Sequence, residues 1–173
     1  MKFVLNASPL IHIVRAGYSN IFEKLGDLAI PREVYNVVVV HGKEKGAPDS
    51  YVIEKLIENG TIVIADVEDK DFLDLVKSAA SNELKPLHEG ESEVLALAKE
   101  KNATAIVDEY TARKISRILN IPARGSVYLF IVLYKKKMIS KKEVIDAFES
   151  MVKTGWRISP KDYSVIKEEL EKL

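Results

Sequence analysis

The stretch Gly90–Ile118 reads GESEVLALAKEKNATAIVDEYTARKISRI. GESEVLALAKEKN predicts a helix whose first turn carries Glu91 and Glu93, ATAIVDE a buried strand ending on Asp108, and YTARKISRILNI the next helix. Upstream, Phe3 to Leu5 predicts a first strand, and Pro9 to Arg15 a helix entered at Pro9, with Ser8 as its cap. NIFEKLG is a short helix closed by Gly26, Leu28 to Ile30 a second strand, and GAPDSYVIEKLIENG a helix stopped by Gly60. Thr61 to Ala65 is a further strand and Asp69 to Ala80 an amphipathic helix. PREVYNVVVVHG starts as a helix at Pro31, although the β-branched run Val37 to Val40 favours a strand by intrinsic propensity; helix is the reading adopted. SNELKPL is a loop and PARG a short connection. SVYLFIVLYKKKM and SKKEVIDAFESMVKTG are two more helices, and a terminal helix follows Pro160. Short apolar strands alternating with helices predict an α/β fold, a three-layer α/β/α sandwich on a short central parallel sheet. One domain over 1–173 is expected, its last helix at about 161–172.

The chain has 173 residues, enough to bury roughly 70% of its unfolded surface without a disulfide or metal. It contains no cysteine, which excludes thiolate chemistry and Cys-ligated metal centres and fits a reducing, cytoplasmic location. His12, His41 and His88 are scattered without a metal-binding spacing. Lys plus Arg equals Asp plus Glu at 26 each, so no bulk positive charge announces a nucleic-acid binder. The amino-terminal run is too short and too polar to span a membrane, and it is taken as part of a mature soluble protein. No GxGxxG or GxxxxGK[ST] motif supports a nucleotide-binding fold. The lysines at 135–137 and 141–142 mark a corner between two helices, solvated or substrate-facing.

Asn6 and Asp108 each follow a predicted strand, and Glu91 opens the helix leading to the Asp108 strand. Groups beyond the carboxyl ends of adjacent parallel strands meet in one crevice where the strand order reverses. Capping and helix-dipole stabilisation, worth ~0.3–1 kcal/mol each, account equally for Glu91, Glu93, Asp108 and Glu109. Ser126 after Gly125 is an ordinary cap by the same logic, and Arg113 and Arg117, four apart, suit a solvent-facing stripe. A hard cation such as Mg²⁺ or Mn²⁺ needs clustered carboxylates and no histidine, which this chain can offer. A phosphatase or receiver-like domain would use acids in the same place but wants an aspartate where Asn6 stands.

VLNASPLI, IPREVYNVVVVHG, LHEGESEVLALAKE, AIVDEYTARKISRILNI and ARGSVYLFIVLYKKKMI, in that order, resemble the PIN-domain proteins, from Phe3 to about Tyr163. The resemblance implies a metal-dependent endoribonuclease that hydrolyses RNA phosphodiesters with a metal-activated water, using Mg²⁺ or Mn²⁺. The family's acidic positions fall on Asn6, Asn36, Glu91 and Asp108, with Glu109 auxiliary and Ser8 and Ser126 supporting. Two of the four are amides, which lowers the negative charge offered to a metal. Two readings follow: an active ribonuclease with weakened metal binding, or a catalytically inactive homologue that binds RNA or protein. Arg113, Arg124 and Lys114 are the basic residues nearest the crevice for RNA phosphates. The resemblance further implies a toxin-antitoxin setting with an antitoxin protein as partner, and a homodimer. The helix carrying Tyr128, Phe130, Ile131 and Tyr134 is either the dimer face or core.

Overall fold

A computed structural model describes residues 2–173. Five short strands form one parallel sheet in the order β3-β2-β1-β4-β5: β1 (Phe3–Leu5), β2 (Leu28–Ile30), β3 (Ile62–Ile64), β4 (Thr104–Ile106) and β5 (Ala123–Arg124). The chain builds outward from β1 to β3, then returns and builds the other way through β4 and β5. The reversal puts the topological switch between β1 and β4, whose register pairs Leu5 with Ile106. Right-handed crossovers then place the helices that follow β1 and β2 on one face and those that follow β3 and β4 on the other. The first set is α1 (Ala7–Arg15), α2 (Ile21–Leu25), α3 (Arg32–Tyr35), α4 (His41–Glu44) and α5 (Pro48–Glu58). The second is α6 (Lys70–Ala80), α7 (Glu89–Glu100) and α8 (Tyr110–Ile118). After β5, α9 (Val127–Lys135) packs on α2 and α10 (Lys141–Lys153) on α1, and α11 (Pro160–Glu171) rests on α10. The result is the expected α/β/α sandwich. Among the described residues, no helix is long and apolar enough to cross a membrane.

Both faces of the sheet are covered, so its central strands are apolar throughout, and every residue of β1 and β2 is buried. Phe22, Phe130 and Phe148 are the largest fully buried side chains. Phe130 meets Tyr18 edge-to-face with ring centroids 5.6 Å apart, so the centre of α9 belongs to the core. The exposed lysines 135–137 lie at the solvated turn after α9.

Three local expectations need correction. The first helix begins at Ala7, with Asn6 extended at its cap position and making no side-chain capping bond. Ser8 is therefore inside the helix, and Pro9 stands in the first turn, where the missing amide has no intrahelical acceptor to lose. The β4 ladder assignment ends at Ile106, leaving Asp108 two residues beyond it. PARG contains a fifth strand: the Ala105 amide donates to the Pro122 carbonyl at 2.8 Å and Val107 to the Arg124 carbonyl at 2.8 Å. Two residues are too few to leave a periodic signal.

The valine run is helical. Asn36–Val40 forms a π-helical turn joining α3 to α4. Val38 and Val39 are buried while Val37 and Val40 are exposed, so burial of one side overrides the strand propensity of the run. Crowding of consecutive β-branched side chains accompanies the widened turn. At Gly42 in α4, a Cβ would lie 2.8 Å from Ser50 Cβ on α5. On propensity alone Gly42→Ala would stabilise the helix by about 1 kcal/mol. The close approach reverses that sign, and thermal denaturation of Gly42→Ala is expected to show a lower Tm than the parent.

Candidate active site

The crevice at the switch is built by local hydrogen bonds. The Asn6 amide donates to the Ile106 carbonyl at 3.0 Å, setting the residue beyond β1 beside the end of β4. Asn6 is buried at 5% exposure. A Cβ on Gly90 would sit 3.9 Å from Asn6 Oδ1 and 3.8 Å from Glu33 Cγ, so the start of α7 closes directly over this position.

Asp108 is held by the residue that opens α9. Ser126 donates its amide to Asp108 Oδ1 at 2.8 Å and its hydroxyl to Oδ2 at 2.5 Å. Arg113 Nη1 donates to the Asp108 carbonyl at 2.7 Å. The approach requires Gly125, where a Cβ would lie 3.2 Å from Asp108 Oδ1. Burial pushes the Asp108 carboxyl above the usual range, opposed by the Ser126 hydrogen bonds and the Arg113 charge.

Glu91 accepts the His88 amide at 2.8 Å, the return half of a capping box, so its structural role is real. Burial raises its pKa above the ordinary carboxylate value against that hydrogen bond, and the charge of Glu109 raises it further. Glu109 Oε2 is itself buried without a hydrogen-bond partner. Two carboxylates that repel each other, one with an orphaned oxygen, form an arrangement that a cation relieves. The residues fit a hard cation to that extent. Among the described residues, however, no three His, Cys, Asp or Glu side chains are gathered as a metal-holding group.

Glu91, Asp108 and Glu109 all line one cavity of about 950 Å³. Ser8, Ser126, Arg113 and Arg124 line it as well, while Asn6, Asn36 and Lys114 do not. Asn36 donates to Glu33 Oε2 at 3.1 Å, and the Glu33 amide donates to Glu93 Oε2 at 3.1 Å, a cluster that lies beside Gly90 without lining the cavity. Lys114 is paired with Glu83 at 2.7 Å. Arg124 is exposed, its guanidinium 5.6 Å from the Tyr128 ring centroid.

Sequence reasoning missed part of the wall. Arg117 and Arg157 join the basic rim, and His12, Trp156 and the inner side of α11 complete the cavity. The four-residue spacing of Arg113 and Arg117 was a usable signal. Nothing local shows that the segment after Trp156 folds back over the crevice.

The raised carboxyl of Glu91 yields a stability test. A group with a raised folded-state pKa contributes most below its unfolded value, and that contribution is lost as pH rises through the folded value. Glu91→Gln keeps an oxygen for the His88 amide and removes the disfavoured charge. Its Tm at pH 7.5 is expected to exceed the parent's by about 2–4 °C, and the gap to close toward pH 4, as calorimetric scans at both pH values would show.

A family model described as a PIN domain matches residues 2–172. The chain is also 33% identical over 94 residues to the endoribonuclease Nob1 of Pyrococcus abyssi, an alignment covering 53% of this chain and 58% of that protein. The chain thus spans little more than half the length of this curated relative. With the switch-point crevice and the match across nearly all its length, the chain belongs to the PIN-domain family.

Proposed function

We propose that this protein is an endoribonuclease of PIN type, binding single-stranded RNA through its phosphates and hydrolysing a phosphodiester with Mg²⁺ or Mn²⁺. The observation that carries the reading is the shared cavity, with buried Glu91 and half-buried Asp108 and Glu109 beneath exposed Arg117, Arg124 and Arg157. Its likeness to an endoribonuclease supports RNA as the substrate class.

In this reading Glu91 and Glu109 would supply carboxylates to the ion, with water and substrate phosphate completing its shell, and Ser126 and Arg113 keep the Asp108 carboxylate in place beside them. Ser126 occupies one lone-pair site on each Asp108 oxygen, leaving others for a ligand. Divalent metal supplies charge neutralisation at the phosphoryl oxygens and a more acidic water. Arg113, Arg117 and Arg124 bind the phosphates; guanidinium forks match their oxygens. Asn6 contributes an amide in the place where the family has an acid, so affinity for the ion is low until substrate phosphates add their own ligands.

A second reading, an inactive homologue that binds RNA or protein, is favoured by that amide and by the lack of a three-acid group among the described residues. A homodimer and an antitoxin partner belong to the proposal as the resemblance implies them, and a cytoplasmic setting as the cysteine-free composition suits it; exposed Val37, Val40 and Tyr51 supply apolar surface for a protein contact.

Calorimetric titration with Mn²⁺ separates the two. Asn6→Asp is expected to tighten binding by about tenfold or more, since it adds a negative charge beside the end of β4 that attracts a divalent cation. Cleavage of a single-stranded RNA in Mn²⁺ is expected for the parent and its loss for Asp108→Asn; unchanged cleavage in that variant overturns the enzyme reading. Binding without any cleavage favours the second.

Salt dependence tests the phosphate contacts separately. Removing one contact from a single strand lowers the slope of log K against log salt by about 0.7. Arg124→Ala is expected to show that decrease in a filter-binding series, and Lys114→Ala to leave the slope unchanged.

A further inference from the structure

The cavity is larger than an ion and a phosphate require; at about 950 Å³ it lies near the top of the ~300–1,000 Å³ range of small-molecule sites. Glu91, Asp108, Glu109 and most of its arginines gather on the strand-end side. The remaining limb is lined by Ile131, Trp156, Ile158, Val165 and Ile166, with His12 between the two. We propose that this limb receives one unstacked nucleobase of single-stranded RNA, with His12 as the hydrogen-bond donor to the base. This inference rests on the RNA reading of the site.

His12 carries the argument. Its ring lines the cavity, and its Nδ1 is buried without a partner. Burial, reinforced by the Arg15 charge and opposed by Asp49, lowers its pKa and keeps the imidazole neutral. A buried orphan is better tolerated as a bare acceptor than as an N–H. The proton therefore belongs on Nε2, the ring's other polar atom, which is left to meet a ligand. The Trp156 ring, its centroid 6.3 Å from that of His12, backs the imidazole and holds it in place. Ser8 lies one turn earlier on the same helix, about 6 Å along its axis and beside the switch-point crevice, so the two subsites are within reach of one nucleotide.

The charges orient that nucleotide. The α11 wall carries Asp162 and Glu169, which repel phosphate and accept from exocyclic amines; Arg113 and Arg124 stand on the strand-end side. Arg124 stacked on Tyr128 adds a planar cation at the rim, a surface on which unpaired bases stack.

Trp156 is the protein's single tryptophan, so intrinsic fluorescence reports on this limb directly. Adenosine and cytidine 5′-monophosphates, ribose 5-phosphate and inorganic phosphate would be titrated in EDTA, with calorimetry in parallel. The expected result is a change in Trp156 emission on adding either nucleotide, with affinity about tenfold above that for ribose 5-phosphate. His12→Phe, which keeps a ring against Trp156, and Val165→Gln, which crowds the apolar limb from an exposed position of α11 without adding charge, are each expected to abolish that advantage while leaving ribose 5-phosphate binding unchanged. Equal affinity for nucleotide and ribose 5-phosphate, no binding of either, or an undiminished nucleotide advantage in both variants overturns the base subsite. The measurement needs neither metal nor turnover. Loss of base binding alongside intact RNA cleavage refutes this inference alone, and base binding without cleavage refutes the nuclease reading alone.

Discussion

The parallel pairing of β1 with β4 is the constraint on which the rest of the molecule depends. Leu5 lies opposite Ile106, and the Asn6 amide reaches the Ile106 carbonyl, so two segments separated by about a hundred residues end at the same level. Everything chemical follows from that register. A strand slipped by one residue would turn its side chains to the opposite face of the sheet, and Asn6 would no longer end beside Ile106. Because the pairing is also where the strand order reverses, the helices after β1 and β4 diverge to opposite faces and leave a crevice between them.

Around that crevice the fold accepts an electrostatic cost. Glu91 and Asp108 are carboxylates in a poorly solvated place, and their raised pKa values express the cost in free energy. Ser126 and His88 offset part of it with hydrogen bonds, and Gly125 provides the space in which the Ser126 latch closes. Strain of this kind concentrates where binding or chemistry is done. The same principle makes His12 informative, since an unpartnered nitrogen on a cavity wall is a cost without an internal return.

The sheet and most helices were legible because their signals are local and repeated. Gly26 ends α2 with φ +90°, Ser140 caps α10 by accepting the Glu143 amide, and Asp69 caps α6, each as its residue type leads one to expect. The valine run shows the limit of propensity: it favours a strand, and burial of Val38 and Val39 makes it helix. β5 was illegible because a two-residue strand exists only through its neighbour. The placement of the ends of β1 and β4 side by side was readable from strand ends and chain order. That Asn36 and Glu33, three apart, share a helix face was readable too, whereas the pairing of Lys114 with Glu83 was not, because a partner distant in the chain decides where that side chain points.

The sequence by itself determined the class of fold and the residues at the strand ends. These depend on periodicity, caps and residue identity, all of which are properties of neighbouring positions. Only the tertiary structure decided that Glu109 faces Glu91, that Ser126 holds both oxygens of Asp108, and that the chain after Trp156 returns to wall the cavity with α11. Each of those is a contact between segments far apart in the chain, set by how the layers pack, and no local pattern encodes it.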